Sequence, residues 1–167
     1  MKRLLLSAVV FVMVALLAVS AVPAGEDSRW YVGFGGGSSD DKILSESDTG
    51  IKLFGGYEFN QYFAVEGAYV DLGDFVIGFF DQSGTALEIV GFWPVGEEFK
   101  LFAKAGIFAW NLEVIGETAD DGTDPTFGVG GQWAFAEHWA VRGEYERFMD
   151  IGGGDVDLLS ASVLYRF

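Results

Sequence analysis

The sequence predicts an all-β protein, an eight-stranded antiparallel up-and-down transmembrane β-barrel. Three observations support this prediction. Eight stretches rich in aromatic and β-branched residues alternate apolar with polar side chains, the connections between them are alternately long and short, and most charged strand residues fall on one face. Because successive strand side chains point to opposite sides, this pattern predicts one apolar face toward lipid and one charged face toward a lumen.

The first 24 residues are expected to be a secretory signal peptide. Lys2 and Arg3 precede an apolar run from Leu4 to Val19, and small residues follow as far as Ala24. This run is short for a membrane-spanning helix, which needs about 20 apolar residues. A retained membrane anchor is the alternative. The predicted barrel domain comprises residues 25–167.

The composition narrows the possible partners. The chain has 25 acidic and 10 basic residues, which argues against a nucleic-acid partner because such binding needs basic patches. It has 24 glycines and no cysteine, so disulfides cannot stabilise it even after export. We therefore expect no nucleic acid, and a β-protein whose charges lie away from its apolar surface.

The predicted strands are 8 to 12 residues long, close to the roughly 9–11 that a tilted membrane strand needs. Short connections at 60–61, 94–98 and 136–138 alternate with four longer ones, which predicts short periplasmic turns and long external loops. In chain order the predicted strands are Trp30–Gly37, Thr49–Phe59, Tyr62–Leu72, Thr85–Trp93, Phe99–Trp110, Thr126–Phe135, Trp139–Phe148 and Val156–Phe167.

Each strand is assigned a lipid-facing side by placing its charges on the other side. The apolar sides, strand by strand, are Trp30, Val32, Phe34; Ile51, Leu53, Tyr57, Phe59; Phe63, Val65, Tyr69; Leu87, Ile89, Trp93; Phe99, Leu101, Ala103, Ala105, Ile107, Ala109; Phe127, Val129, Trp133, Phe135; Trp139, Val141, Tyr145; and Leu159, Ala161, Val163, Tyr165, Phe167. Only Asp71, Arg147 and Asp157 break the rule. All three lie at loop ends, where a charge facing lipid costs little.

Aromatic residues give an independent indication of a membrane. Four of the five tryptophans lie at the short-turn ends of apolar faces, as in the aromatic girdle of a membrane interface. Ordinary core aromatics are the alternative, but they would not cluster at one level. The predicted girdle comprises Trp30, Tyr57, Trp93, Trp133, Trp139 and Tyr165.

Six segments carry a resemblance to a known family: Trp30–Gly33, Phe54–Asn60, Val65–Tyr69, Pro125–Gly131, Arg142–Tyr145 and Leu159–Phe167. Together with their order and spacing, they resemble the transmembrane domain of the outer membrane protein A (OmpA) family. The resemblance implies a bacterial outer membrane, with its lipid and lipopolysaccharide as surroundings. The family's peptidoglycan-binding domain is not expected, because the chain stops at Phe167.

The last strand ends in a pattern that looks like an assembly signal. Val163, Tyr165 and Phe167 alternate and stop on phenylalanine, as in the signal that bacterial barrels present to the outer-membrane assembly machinery. The barrel assembly machinery is therefore an expected partner during biogenesis.

The lumen is expected to hold a charge network. An eight-stranded barrel is just wide enough to be filled by side chains, and buried charges are costly unless paired. Lys52, Lys104 and Arg142 are placed against Glu66, Glu88 and Glu144. A neutral polar core is favoured, and a charged ion path is the alternative.

The family resemblance refines this network. Glu66 and Arg142 match one of the family's lumen pairs, whereas Val90 and Gln132 stand at the positions of a second pair. A gate that switches between two pairs is therefore not expected.

No catalytic, cofactor or metal site is expected. The single histidine, His138, lies in a short turn without a nearby serine, so a Ser-His-acid arrangement is not supported. The acidic run from Asp120 to Asp124 lacks the spacing of a calcium loop. Neither feature predicts an enzyme.

Three functions remain open. The first is a structural outer-membrane barrel that contributes to envelope integrity and surface properties. The second is a surface adhesin that binds an extracellular partner through its acidic loops, because four loop spans hold 16 of the 25 acidic residues. Those spans are 38–50, 71–84, 113–125 and 146–157. The third is a narrow porin-like ion channel.

Overall fold

The computed structural model describes residues 29–41, 46–75, 80–114, 117–151 and 153–167. The expected signal peptide, residues 1–24, lies outside them. The strands are β1 (Trp30–Asp41), β2 (Glu46–Asn60), β3 (Phe63–Phe75), β4 (Phe80–Pro94), β5 (Phe99–Val114), β6 (Glu117–Ala134), β7 (Trp139–Ile151) and β8 (Gly154–Arg166). In the described part of the chain, no α-helix has the length and apolar character that crossing a membrane requires.

All neighbouring strands are antiparallel, and the sheet closes on itself. β1 pairs with both β2 and β8: Gly35 lies opposite Lys52 on one side and Ser162 on the other. Closure leaves no strand edge unpaired, which a membrane requires because lipid cannot hydrogen-bond to the backbone. The predicted fold, an eight-stranded up-and-down barrel, is confirmed.

The strands extend further toward the long-loop end than predicted. β5 runs to Val114 and β6 begins at Glu117, although the sequence predicted a loop from Asn111 to Pro125. That boundary was wrong because apolar alternation marks contact with lipid, whereas ladder pairing needs only backbone groups. β6 is consequently 18 residues long.

The two faces of the sheet are inverted relative to a soluble barrel. On the outer face, Phe34 is 62% exposed, and Ile89 and Leu159 are each 64% exposed. On the inner face, Lys52 and Glu66 have no exposed surface. An apolar exterior of this extent would aggregate in water, but it matches the hydrocarbon core of a bilayer.

Candidate functional site

The lumen is divided into three levels by the strand register. The middle level contains the lumen cluster, which we define as Lys52, Glu66, Glu88, Lys104, Arg142, Glu144 and Glu146. Toward the long loops lies an apolar layer, the upper layer, of Val70, Leu72, Phe108, Phe148, Val156 and Leu158, each at most 1% exposed. Toward the short turns lies the lower layer of Tyr31, Ala64, Phe92, Phe102, Ala140 and Leu164, each at most 5% exposed. The charges are thus enclosed from both ends.

Lys104 is the centre of the cluster. Its Nζ lies 2.5 Å from Glu146 Oε1, 3.0 Å from Glu144 Oε2, 3.1 Å from Glu88 Oε2 and 3.8 Å from Glu66 Oε1. All of these side chains are fully buried. One ammonium group is therefore shared among four carboxylates on three strands.

Lys52, on β2, contacts three of the same four carboxylates, Glu66, Glu144 and Glu146. Its Nζ donates hydrogen bonds to Glu144 Oε1 at 2.9 Å and to Glu146 Oε2 at 2.7 Å. Glu144 and Glu146 thus each lie between two lysines. These contacts join β2, β5 and β7 across the lumen.

Arg142 forms the part of the cluster nearest the short turns. Its Nη1 donates to Glu66 Oε2 at 2.6 Å, and its Nη2 donates to Gln132 Oε1 at 3.1 Å. The Tyr31 hydroxyl donates to the same Glu66 oxygen at 2.8 Å. The guanidinium also lies 4.7 Å from the Phe54 ring centroid, a distance that allows a cation–π interaction. Arg142 therefore has polar partners in its plane and an aromatic ring over its face.

The structure places all six predicted network residues inside the lumen and adds a seventh. Glu146, which strand alternation also puts on the inner face, was not among the six predicted network residues. Its even spacing from Arg142 and Glu144 on the same strand indicated that all three side chains point into the lumen. The predicted balance of three cations and three anions is therefore corrected to three cations and four carboxylates.

Inward glycines make room for these large side chains. A Cβ atom built on Gly128 would lie 2.6 Å from Lys104 Cε, and one on Gly56 would overlap the Tyr31 ring. Each glycine is directly paired, across the strands, with the residue that covers it. The lumen is filled because a large side chain on one strand occupies the space beside the glycine opposite it on the neighbouring strand.

A second, smaller ion pair lies at the short-turn mouth. Lys100 Nζ is 3.2 Å from Glu58 Oε2, and both side chains are mostly buried. The same ammonium lies 4.9 Å from the Phe92 ring centroid. This pair covers the lower layer from the short-turn end.

The predicted girdle residues lie on the outer face at the short-turn end. Trp93 is 75% exposed and Trp133 is 48% exposed, and Trp133 Nε1 donates to Glu98 Oε2 at 3.3 Å. Two girdle pairs pack together across strands, each with ring centroids 5.0 Å apart: Trp30 with Tyr57, and Trp139 with Tyr165. Each residue thus combines an apolar surface with a polar atom near the mouth, or packs against another aromatic ring.

The end of β8 is tied to the neighbouring turn. Val163 is outward-facing and 46% exposed, and Tyr165 packs edge-on against Phe167 with centroids 5.1 Å apart. His138 stacks on Tyr165, and its Nδ1 lies 2.9 Å from the Arg166 carbonyl oxygen. The histidine thus has structural contacts in the turn where the sequence placed it.

At the long-loop end, the two outward charges on β7 and β8 pair with each other. Arg147 Nε donates to Asp157 Oδ1 at 2.7 Å, and Arg147 Nη2 donates to the Tyr145 hydroxyl at 2.9 Å. Because the two charges neutralise each other, the free-energy cost of placing them beside lipid at this end of the barrel is lower. Among the described residues, no group of histidine or acidic side chains is arranged to hold a metal ion.

A family of known barrel proteins matches this chain over most of its length. Residues 9–167 match the family described as outer membrane protein beta-barrel domain. The chain belongs to this family. As a member of this barrel family it is a protein of the bacterial outer membrane, where the exposed apolar exterior and aromatic girdle belong.

The relatives agree with this assignment. Outer membrane protein A of Klebsiella aerogenes is 27% identical over 93% of this chain and 53% of its own length. Outer membrane protein A of Yersinia pseudotuberculosis is 28% identical over 90% of this chain and 52% of its own length. The chain thus spans about half the length of the curated relatives it matches.

Solved structures share the fold at lower identity. Neisserial surface protein A superposes with a TM-score of 0.63 at 16% identity, over 84% of this chain and 98% of that one. Ail, the attachment invasion locus protein of Yersinia pestis, superposes with a TM-score of 0.56 at 19% identity, over 84% and 97%. Ail has also been solved with the heparin analogue sucrose octasulfate.

Proposed function

We propose that this protein is a structural barrel that contributes to the integrity and surface properties of the outer membrane, and that it is neither a pore nor an enzyme. The observation that carries the proposal is the filled lumen, in which two apolar layers enclose a cross-linked charge cluster. A barrel of this width serves its membrane through its outer face and its loop ends.

The upper layer supports a closed lumen. Phe108 and Phe148 pack with ring centroids 4.6 Å apart, and Val70, Leu72 and Leu158 beside them have at most 1% exposed surface. An ion crossing this layer would lose most of its hydration and meet mainly apolar side chains, with the buried Thr126 hydroxyl opposite Phe148 as a polar group at that level, so the crossing is costly. Below it, an ion would have to displace lysine–glutamate contacts that link opposite walls.

Planar bilayers test the closed lumen. Purified wild-type protein, shown to be folded by a different gel mobility before and after boiling, is expected to give no discrete conductance steps. The matched variant is the double substitution of Phe108→Ala and Phe148→Ala, which removes both aromatic rings from the upper layer. Reproducible wild-type steps that change in the Glu66→Gln variant would support the porin-like alternative instead.

Deletion of the gene tests the structural role. The deletion strain is expected to admit more of a large apolar dye, and the wild-type gene is expected to restore exclusion. A strain without any envelope defect under detergent or osmotic stress would refute the structural role.

A second candidate is an adhesin, and the charge of the long-loop end favours considering it. The four loop spans hold 16 acidic residues, with Lys42 and Arg147 as their only basic ones. The Ail structure contains a polyanion, whereas these acidic spans would repel one. If this chain binds an extracellular partner, a cationic surface is the chemistry that fits.

Amide substitution separates the two candidates. Replacing Asp40, Asp41, Glu46 and Asp48 by the corresponding amides is expected to leave dye exclusion intact if the role is structural. A loss of cell binding to a polycation-coated surface, with dye exclusion retained, would favour the adhesin.

A further inference from the structure

The lumen cluster has one carboxylate more than its cations can balance. Three cations, Lys52, Lys104 and Arg142, face four carboxylates, all with fully buried side chains. The upper and lower layers separate this cluster from water at both ends. An uncompensated buried charge is among the most costly features a protein can contain, so the surplus needs a counter-charge within the lumen.

Glu88 is the carboxylate with the least support as an anion. Its Oε2 lies 3.1 Å from Lys104 Nζ, but neither of its oxygens has a well-directed hydrogen-bond donor within the described residues, although the residue is only 1% exposed. Lys104 is also shared with Glu146, which lies closer to it, at 2.5 Å. Glu88 therefore has a single cation in contact with it, which it shares with three other carboxylates, and it accepts no hydrogen bond within the described residues.

The other carboxylates are better supported as anions. Glu66 accepts from both Arg142 and Tyr31. Glu144 and Glu146 each accept a hydrogen bond from Lys52, at 2.9 and 2.7 Å, and each also has an ion-pair contact with Lys104 Nζ within 3.0 Å. Charge-assisted hydrogen bonds of this length stabilise the ionised form.

The position of Glu88 also opposes its ionisation. It is paired directly with Glu66 across β3 and β4, and like charges at such a pair repel each other. The titratable and charged groups that face the lumen at this level, from every surrounding strand, are Tyr31 on β1, Lys52 on β2, Glu66 on β3, Lys104 on β5, and Arg142, Glu144 and Glu146 on β7.

We infer that the lumen is a proton-binding site: in the folded barrel at neutral pH, Glu88 holds one proton as a neutral carboxylic acid. A proton fits better than a metal cation. Metal ions such as Ca²⁺ need about six to eight oxygen ligands, and most cluster oxygens already contact lysine or arginine. With Glu88 neutral, the cluster is balanced at three positive and three negative charges.

Infrared spectroscopy of the folded protein in lipid vesicles tests this inference directly. The wild type at neutral pH is expected to show the carbonyl stretch of one protonated carboxyl group. Glu88→Gln is expected to lose this band, while Glu58→Gln, in the separate pair at the short-turn mouth, keeps it. A wild type without the band, or a band that persists in Glu88→Gln, would overturn the inference.

Folding equilibria provide a second readout. Unfolded Glu88 is ionised at neutral pH, so the folded state binds one more proton. The folding equilibrium constant should therefore fall by up to tenfold per pH unit from about pH 5 up to the pH at which Glu88 of the folded barrel ionises, and this contribution should level off above that pH. In Glu88→Gln this part of the pH dependence disappears. Because the amide resembles the neutral acid in shape, Glu88→Gln is expected to fold, whereas Glu144→Gln, which removes a paired anion, is expected to unfold more readily.

Two outcomes would count against the proton. Failure of Glu88→Gln to fold while Glu144→Gln folds normally would mean that Glu88 is the ionised partner. Loss of wild-type stability when Na⁺ is replaced by a large organic cation, without a protonated-carboxyl band, would assign the counter-charge to a metal cation.

Discussion

The inner and outer faces of this barrel are made by alternate residues of the same strands, yet they follow different rules. On β5, Lys104 lies in the lumen with 3% exposure, while Leu101 on the outer face is 48% exposed. The outer face meets a uniform apolar solvent, so any apolar residue serves at most positions. The inner face meets seven other strands, so each residue depends on what lies opposite.

This difference predicts unequal tolerance to substitution. At an outer position it matters mainly that the residue is apolar, whereas at an inner position it matters which side chains the residue contacts. Substitutions that keep the class should therefore be mild outside, and substitutions that remove a partner should be severe inside. Three paired variants test this contrast, in order of expected effect.

Removing the shared cation is expected to have the largest effect. Lys104→Met keeps most of the side-chain volume but leaves four buried carboxylates with one cation fewer, and breaking such a pair costs about 3–5 kcal/mol. The measurement is the free energy of unfolding by urea in lipid vesicles. Ala105→Met, the neighbouring outward residue, is the control and should change stability little. Equal effects of the two variants would show that the cluster contributes little to stability.

Placing a charge in lipid is expected to have the next largest effect. Ile89 lies on the outer face near the middle of β4, opposite Val65 and Ala105. Ile89→Arg should cost about 2–4 kcal/mol at this depth. Val95→Arg, in the exposed turn after β4, should cost little. If Ile89→Arg were as well tolerated as the turn variant in the same unfolding assay, the outer face would not be in hydrocarbon.

Adding one methyl group inside is expected to have a smaller but clear effect. A Cβ on Gly33 would overlap the ring of Phe54, and Phe54 is held between Tyr31 and Arg142. Gly33→Ala should therefore cost about 1–3 kcal/mol as overpacking. Gly67, on the outer face, has no heavy atom within 4 Å of the position that an added methyl group would occupy.

The control for this variant is Gly67→Ala, which should be neutral or slightly stabilising, because alanine restricts the unfolded chain. Thermal unfolding monitored by gel mobility compares the two. A neutral Gly33→Ala would mean that the lumen is loosely packed and would weaken the case for a closed barrel.

The sequence predicted most of the fold because lipid imposes a simple pattern. Period-two alternation placed Phe34, Ile89 and Leu159 outside and Lys52 and Glu66 inside. It failed at the strand ends, where β6 continues through polar residues that no apolar pattern marks. The backbone ladder persists there because pairing requires hydrogen bonds and not lipid contact.

The lumen cluster was predictable in its location but not in its connections. Sequence alternation put Glu146 on the inner face, but only the staggered register brings it to 2.5 Å from Lys104 and 2.7 Å from Lys52. The shear of a closed barrel moves each strand along its neighbour. Residues that share a level are therefore not obvious from their order in the chain.

The sequence by itself determined that this protein is an eight-stranded barrel, which face of each strand meets lipid and where the aromatic girdle lies. These properties depend on local periodicity and on the solvent alone. Only the tertiary structure decided that four carboxylates share three cations between two apolar layers. That arrangement depends on closure and register, which place residues as distant as Lys52 and Glu146 in contact across the lumen.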